Sequence, residues 1–205
     1  KIKFFFASSS SVYGDQKIFP LNENLKLNEK NIYGFSKKIN EIMCESYSRI
    51  YKIKIIGLRF FTVFGEWGRP DMLIFKYLKS NLDKKDFFLN SNGQHFRDFT
   101  YINDVLDILK KILYLKTNKN YEVFNICSNN PIKIINVIKK INRWNNNFKF
   151  KTKNSKNLNK IEVVKTHGDN KKILKLFKKF KYTNFDKALN NTIKWYLDNK
   201  INKIT

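Results

Sequence analysis

Ile2-Lys3-Phe4-Phe5-Phe6-Ala7-Ser8-Ser9-Ser10-Ser11-Val12-Tyr13-Gly14 opens on a short apolar run and passes directly into four serines. An apolar run bounded by small polar residues predicts a buried strand that delivers a hydroxyl-rich loop at its carboxyl end. Downstream the pattern changes to the helical period. Ile39, Ile42, Met43, Tyr47 and Ile50 recur at three and four residues, which predicts a helix from Tyr33 to Tyr51. Ile53 to Phe61 reads as a second buried strand. Asn103 or Asp104 reads as the cap of a helix with the stripe Val105, Ile108, Leu109 and Ile112, and Glu122 to Cys127 reads as a third strand. Shorter signals predict helices over 72–82, 132–144, 170–180 and 185–199, a strand over 87–89 and a turn at Ser91-Asn92-Gly93. Strands alternating with helical patterns make βα units and a mainly parallel sheet, the α/β class.

At 205 residues with 42% apolar content the chain can bury a core, as one ordinary domain or two small ones. Its 41 Lys+Arg against 17 Asp+Glu leave a net charge of +24. A charge of that size suggests a polyanion partner, but the 36 lysines, 28 asparagines and 24 isoleucines set against 5 arginines and 2 alanines follow A/T-rich codons instead. The lysines are spread through every segment and arginine, the preferred reader of base edges, is scarce, so the composition argues against nucleic acid as partner. Cys44 and Cys127 lack any CxxC spacing and read as buried free thiols of a reducing, cytoplasmic setting. His95 and His167 stand apart without cysteine partners, so no metal site is expected. No apolar run has the length of a membrane span. Seven of the ten residues from Lys151 to Lys160 are Lys or Asn, which predicts a solvated, mobile loop.

Tyr33-Gly34-Phe35-Ser36-Lys37 sets a phenol and an ammonium on one face of an opening helical turn. The cation favours the phenolate and makes it a base able to take a proton from a sugar hydroxyl. The spacing alone also arises by chance in lysine-rich helices. Three further blocks accompany it in order: the serine loop ending in Val12-Tyr13-Gly14, then Leu58-Arg59-Phe60-Phe61-Thr62-Val63-Phe64-Gly65-Glu66-Trp67-Gly68-Arg69-Pro70-Asp71-Met72, then Arg97-Asp98-Phe99-Thr100-Tyr101-Ile102-Asn103-Asp104. Together they resemble the extended short-chain dehydrogenase/reductases, and within them the UDP-glucuronate 4-epimerases. The likeness is strong from residue 2 to about 127 and weaker beyond, through Lys165-Thr166-His167-Gly168-Asp169 and Trp195-Tyr196.

The resemblance implies a Rossmann-type, mainly parallel sheet over residues 1–65 and 98–127, with a smaller α/β cap for the nucleotide sugar over 66–97 and 128–205. It implies NAD as cofactor, a UDP-sugar as substrate and a homodimer that pairs the helix of Tyr33 to Tyr51. Tyr33 would take the C4 hydroxyl proton while NAD takes the C4 hydride, and the 4-keto sugar would turn and be reduced on its other face. Lys37 would hold the nicotinamide ribose and Ser9 would orient the C4 oxygen. Ser10, Ser11 and Thr62 would line the sugar site, Arg69 would grip the sugar carboxylate, a task suited to a planar bidentate donor, and Arg97 would face the UDP moiety.

Relatives that dehydrate or decarboxylate nucleotide sugars carry an acidic residue in the loop that here reads Ser8-Ser9-Ser10-Ser11, which favours simple epimerisation. Two departures stand out. None of the seven glycines forms the Gly-rich turn that binds dinucleotide pyrophosphates. The sequence is therefore expected to be the C-terminal part of a longer protein, without the first βαβ units, and to hold NAD poorly by itself. The family's Pro-Gly-Asp turn on the nucleotide side is replaced by Asn159-Lys160-Ile161-Glu162. The alternatives are another nucleotide-sugar epimerase or decarboxylase, or a non-catalytic, decayed module with a basic surface.

Overall fold

The computed structural model describes residues 3–153, 162–177 and 179–199. β1 (Lys3–Ser9), β2 (Lys54–Phe60) and β6 (Tyr121–Ile126) form a parallel sheet in the order β1-β2-β6. In register, Ser9 lies beside Phe60 and Leu58 beside Phe124. α1 (Ile32–Tyr51) covers one face. α3 (Ile102–Leu113) and the short α5 (Lys171–Leu176) cover the other, where Ile56, Leu58, Val105, Ile108, Phe124 and Ile173 close a core. Burial of each such side chain contributes roughly 1.5–3 kcal/mol.

A second core lies beside the first. β5 (Phe96–Tyr101) pairs in parallel with β3 (Thr62–Phe64) and antiparallel with β7 (Pro131–Lys133), while β4 (Phe88–Asn90) pairs in parallel with β8 (Lys151–Lys153). α2 (Leu73–Leu82), α4 (Ile134–Asn142) and α6 (Phe185–Asn199) enclose this core around Leu78, Phe99, Ile138 and Ile193. The expected mainly parallel α/β arrangement is present. One piece crosses the expected division, because Ile173, from the stretch 128–205 assigned to the cap, packs on the first sheet.

Several expectations are corrected. β1 is not a buried strand: it stands at the sheet edge among the described residues, with Phe4 half exposed and only Ser8 and Ser9 buried. The apolar row of α1 faces outward, with Ile42, Met43, Tyr47 and Ile50 exposed, while Gly34, Glu41 and Ser48 are buried. α3 starts at Ile102, capped by neither Asn103 nor Asp104. The Asp104 carboxylate instead accepts hydrogen bonds from the backbone N–H and hydroxyl of Thr183. α4 begins at Ile134, two residues late, because Pro131–Lys133 pairs with β5. The basic helix α5 ends at Leu176, well short of Phe180. Lys151–Lys153 is a strand, anchored by the Lys151 N–H on the Phe87 carbonyl; the rest of the stretch to Lys160 lies outside the described residues. So do Asn159, Lys160 and Ile161 of the altered nucleotide-side turn. Cys127 is buried, whereas Cys44 is only half-buried.

Candidate active site

β1 delivers the serine loop as its sequence predicts, and local hydrogen bonds fix its shape. Ser9 keeps an extended backbone and its Oγ accepts the Ser11 N–H at 3.1 Å, capping a 3₁₀ turn over Ser10–Tyr13. The turn ends at Gly14, whose φ of +60° and 1.6 Å approach of a hypothetical Cβ to the Asn28 carbonyl oxygen leave room for no side chain.

α1 starts beside this loop. Asn31 caps it, its Oδ1 accepting the Gly34 N–H at 2.8 Å. The first turn therefore carries Tyr33 and Lys37 on the side of the serines. The Lys37 ammonium donates to the Ala7 carbonyl at 2.9 Å and lies 5.8 Å from the centre of the Tyr33 ring. Tyr33 is 55% exposed, so its hydroxyl is open to a ligand. Gly34 sets the distance between helix and loop, since a Cβ there would meet the Ser11 carbonyl oxygen at 2.5 Å. Gly34→Ala is expected to push the two apart at a cost of about 1–3 kcal/mol, seen as a lowered unfolding midpoint in urea.

Behind the loop runs a buried polar chain. Arg59 of β2 donates through Nε and Nη2 to both carboxylate oxygens of Glu41 at 2.8 and 2.7 Å, and through Nη1 to the Tyr13 hydroxyl at 2.8 Å. The Ser8 hydroxyl donates to Glu41 at 2.5 Å, and the Tyr13 hydroxyl donates to Asn125 at 2.7 Å. Burial pushes the Tyr13 phenol up to about 12 against the pull of Arg59. Burial disfavours the Arg59 charge, but hydrogen bonding to Glu41 and the charges around it hold its pKa above the ordinary guanidinium value. α1, β1 and β2 are thus tied together beneath the reactive residues.

The opposite wall is the loop from Gly65 to Pro70. Glu66 anchors it by accepting the Tyr101 hydroxyl at 2.6 Å, and Trp67, in the left-handed region at φ 58°, stands 5.2 Å from the Trp195 ring. Arg69 pairs with Asp71 through two hydrogen bonds of 3.0 and 2.5 Å. Those hydrogen bonds and the charge of each partner raise the pKa of Arg69 and lower that of Asp71. Arg97 donates from β5 to the Phe96 carbonyl at 2.9 Å. Burial lowers its pKa, and the nearby Glu162 opposes that shift. Glu162 also lies 3.3 Å from His95 Nδ1.

One open cleft of about 670 Å³ is lined by Ser9, Ser10, Ser11, Tyr33, Lys37, Thr62, Arg69 and Arg97. Every site residue expected from the sequence is therefore in one place. An apolar cavity of about 170 Å³, lined by Leu73, Phe75, Phe99 and Ile134, adjoins it through the shared residues Thr62, Val63, Gly68, Arg69, Met72 and Arg97. The sequence reading missed Asn31, Glu162 and Thr166, which also line the cleft. Asn31, three residues before Gly34, carries a recognisable cap signal, while Glu162 belongs to the altered nucleotide-side turn and Thr166 to the Lys165–Asp169 block of the resemblance, and long-range packing brings both to the cleft. Among the described residues no cluster of His, Cys, Asp or Glu could hold a metal ion.

The sequence signature of the NAD dependent epimerase/dehydratase family matches residues 1–127, the stretch that carries the serine loop, the Tyr33–Lys37 pair and Arg97. The chain belongs to this family. An uncharacterized protein from Methanocaldococcus jannaschii is 38% identical over 97% of this chain and 60% of its own length. A UDP-glucuronate 4-epimerase from Thermodesulfobacterium geofontis is 33% identical over 96% of this chain and 60% of its own. The solved structure of UDP-glucuronic acid 4-epimerase from Bacillus cereus, in complex with UDP-glucuronic acid and NAD, superposes with a TM-score of 0.86 at 27% identity over 96% of this chain and 62% of that one. This family member thus spans about six-tenths of the length of the relatives it matches. The shared fold is the Rossmann-like α/β arrangement of nucleotide-sugar epimerases. Among the described residues no helix is long and apolar enough to cross a membrane.

Proposed function

We propose that this chain supplies the acid–base and sugar-binding machinery of an NAD-dependent epimerase that inverts C4 of a UDP-hexuronate, interconverting UDP-glucuronate and UDP-galacturonate. The observation that carries the reading is the meeting, in one cleft, of the Tyr33–Lys37 pair and the serine loop with the guanidinium of Arg69. Tyr33 accepts the C4 hydroxyl proton, holds it while the sugar is a 4-ketone, and returns it after the sugar has turned. Ser9 orients the C4 oxygen, and Ser10, Ser11 and Thr62 hold the neighbouring hydroxyls. Arg69 takes the C6 carboxylate as a bidentate ligand, Arg97 faces the diphosphate, and the apolar cavity beyond suits the base.

The cofactor's ribose end fits what is present, since the Lys37 ammonium and the Tyr33 hydroxyl stand at the cleft beside the carboxyl end of β1. NAD, when bound there, supplies the hydride acceptor and donor for C4. A Gly-rich cradle for its pyrophosphate is not among these 205 residues. The reading assigns catalysis to residues 1–65 and 98–127 and the grip on the nucleotide sugar mainly to 66–97 and 128–205. It places the protein in the cytoplasm, with both cysteines as thiols. The exposed row Ile42, Met43, Tyr47 and Ile50 on α1 suits pairing of two copies along that helix.

Arg69→Ala tests the substrate class. The charged hydrogen bonds it removes correspond to a loss of about 10- to 100-fold in UDP-glucuronate affinity, with UDP-glucose affinity unchanged in calorimetric titration. Equal losses for both sugars would refute the uronate assignment. With a Gly-rich NAD-binding part joined to the chain, product analysis with UDP-glucuronate and NAD separates epimerisation, which gives UDP-galacturonate, from decarboxylation, which gives a UDP-pentose.

A further inference from the structure

The Arg69 guanidinium can bind a carboxylate along either of two edges, and one is taken. Nε and Nη2 donate to Oδ1 and Oδ2 of Asp71 at 3.0 and 2.5 Å, the side-on bidentate geometry that an incoming carboxylate would itself seek. Arg69 lines the cleft with Tyr33, Lys37 and Thr62, whereas Asp71 does not, so one edge of the guanidinium is held by a carboxylate outside the cleft lining. The two side chains are 75% and 60% exposed. Water and salt weaken such a pair, and the fold does not depend on it. Glu162, the one acidic residue lining the cleft among the described residues, stands beside His95 and Arg97 instead.

We propose that Asp71 is a resident carboxylate, occupying Arg69 until an anionic sugar displaces it, and that it thereby sets how strongly the site prefers a hexuronate over a neutral hexose. The proposal rests on the function proposed above, because it requires Arg69 to be the ligand of the sugar carboxylate. A hexuronate must break the Asp71 contact or bind against its negative charge. A neutral hexose does neither. Asp71 therefore lowers affinity for the charged sugar selectively, and its removal raises the preference.

The test is calorimetric titration of the chain and its Asp71→Asn and Asp71→Glu variants with UDP-glucuronate and UDP-glucose, at about 0.05 M and about 0.5 M salt. Asp71→Asn is expected to raise the ratio of uronate to hexose affinity about two- to fivefold at low salt, the scale of one exposed charge pair, and less at high salt. Asp71→Glu keeps the carboxylate and is expected to keep the wild-type ratio. If the wild type prefers the uronate and Asp71→Asn leaves the ratio unchanged, lowers it, or alters both affinities alike, the resident-carboxylate role is overturned and the proposed function stands. If the wild type binds neither sugar, or binds both equally, the proposed function fails and this inference fails with it.

Discussion

In a protein that also carries a Gly-rich NAD-binding part, Tyr33→Phe is expected to lower conversion of UDP-glucuronate about 10²- to 10⁴-fold, the contribution of one positioned proton acceptor, and to leave UDP-sugar affinity within about twofold. The separation follows from the geometry. Tyr33 contributes a reactive hydroxyl to a cleft whose other ligands, Thr62, Arg69 and Arg97, come from β3, the following loop and β5. Its ring does not pack in either core and is more than half exposed, so replacement by phenylalanine removes one oxygen without disturbing the fold. Single-turnover conversion and calorimetric binding, measured on the same preparation, read the two effects separately. Undiminished conversion would remove Tyr33 as the base, and a parallel loss of binding would make it a substrate ligand instead.

Glu41→Ala is expected to cost about 3–5 kcal/mol of stability, because it leaves the Arg59 guanidinium buried without its counter-charge. Both side chains are nearly inaccessible, at 6% for Glu41 and 5% for Arg59. Replacing both, as Glu41→Leu with Arg59→Met, removes the unpaired charge along with the pair and is expected to recover most of the loss. Urea unfolding of the single and double variants decides the matter. A single variant as stable as the wild type would mean that water reaches the pair. Glu41 lies on the helix that carries Tyr33 and Lys37, so the double variant also reveals whether the ion pair is needed to aim them or only to satisfy each other.

The long, strongly periodic elements were legible in the sequence. The spacing of apolar residues gave the existence and extent of α1, β2 and α6 to within a residue or two. It did not give the face of α1 that is buried. That face is chosen by Glu41, which finds Arg59 and Ser8 on the neighbouring strands, and by Gly34, which lets the serine loop approach. Partners so remote leave no local trace. The missed strands are short or carry charge. β5 contains Arg97 and Asp98, which read as a chemical motif and not as part of a strand. Asp98 is tolerated inside because Ser128 and Gly168, 30 and 70 residues away, donate N–H groups to it at 3.0 Å. β8 is a Lys-Thr-Lys segment whose only strand credential is its partner Phe88–Asn90. The candidate site residues Tyr33, Lys37 and Arg69 stand out through the blocks that carry the resemblance, since the Tyr33–Lys37 spacing alone also arises by chance in lysine-rich helices. Glu162 does not stand out, since its place in the cleft depends on a segment that returns from the far end of the chain.

The three arginines of this site and its support have a further meaning in a protein with 36 lysines and 5 arginines. Arg59 spans both oxygens of Glu41 and reaches the Tyr13 hydroxyl as well, and Arg69 spans both oxygens of Asp71. No ammonium reproduces that planar reach. With Arg97 they are three of the chain's five arginines, and at Arg59 and Arg69 exchange for lysine would leave an acceptor of the pair without its donor.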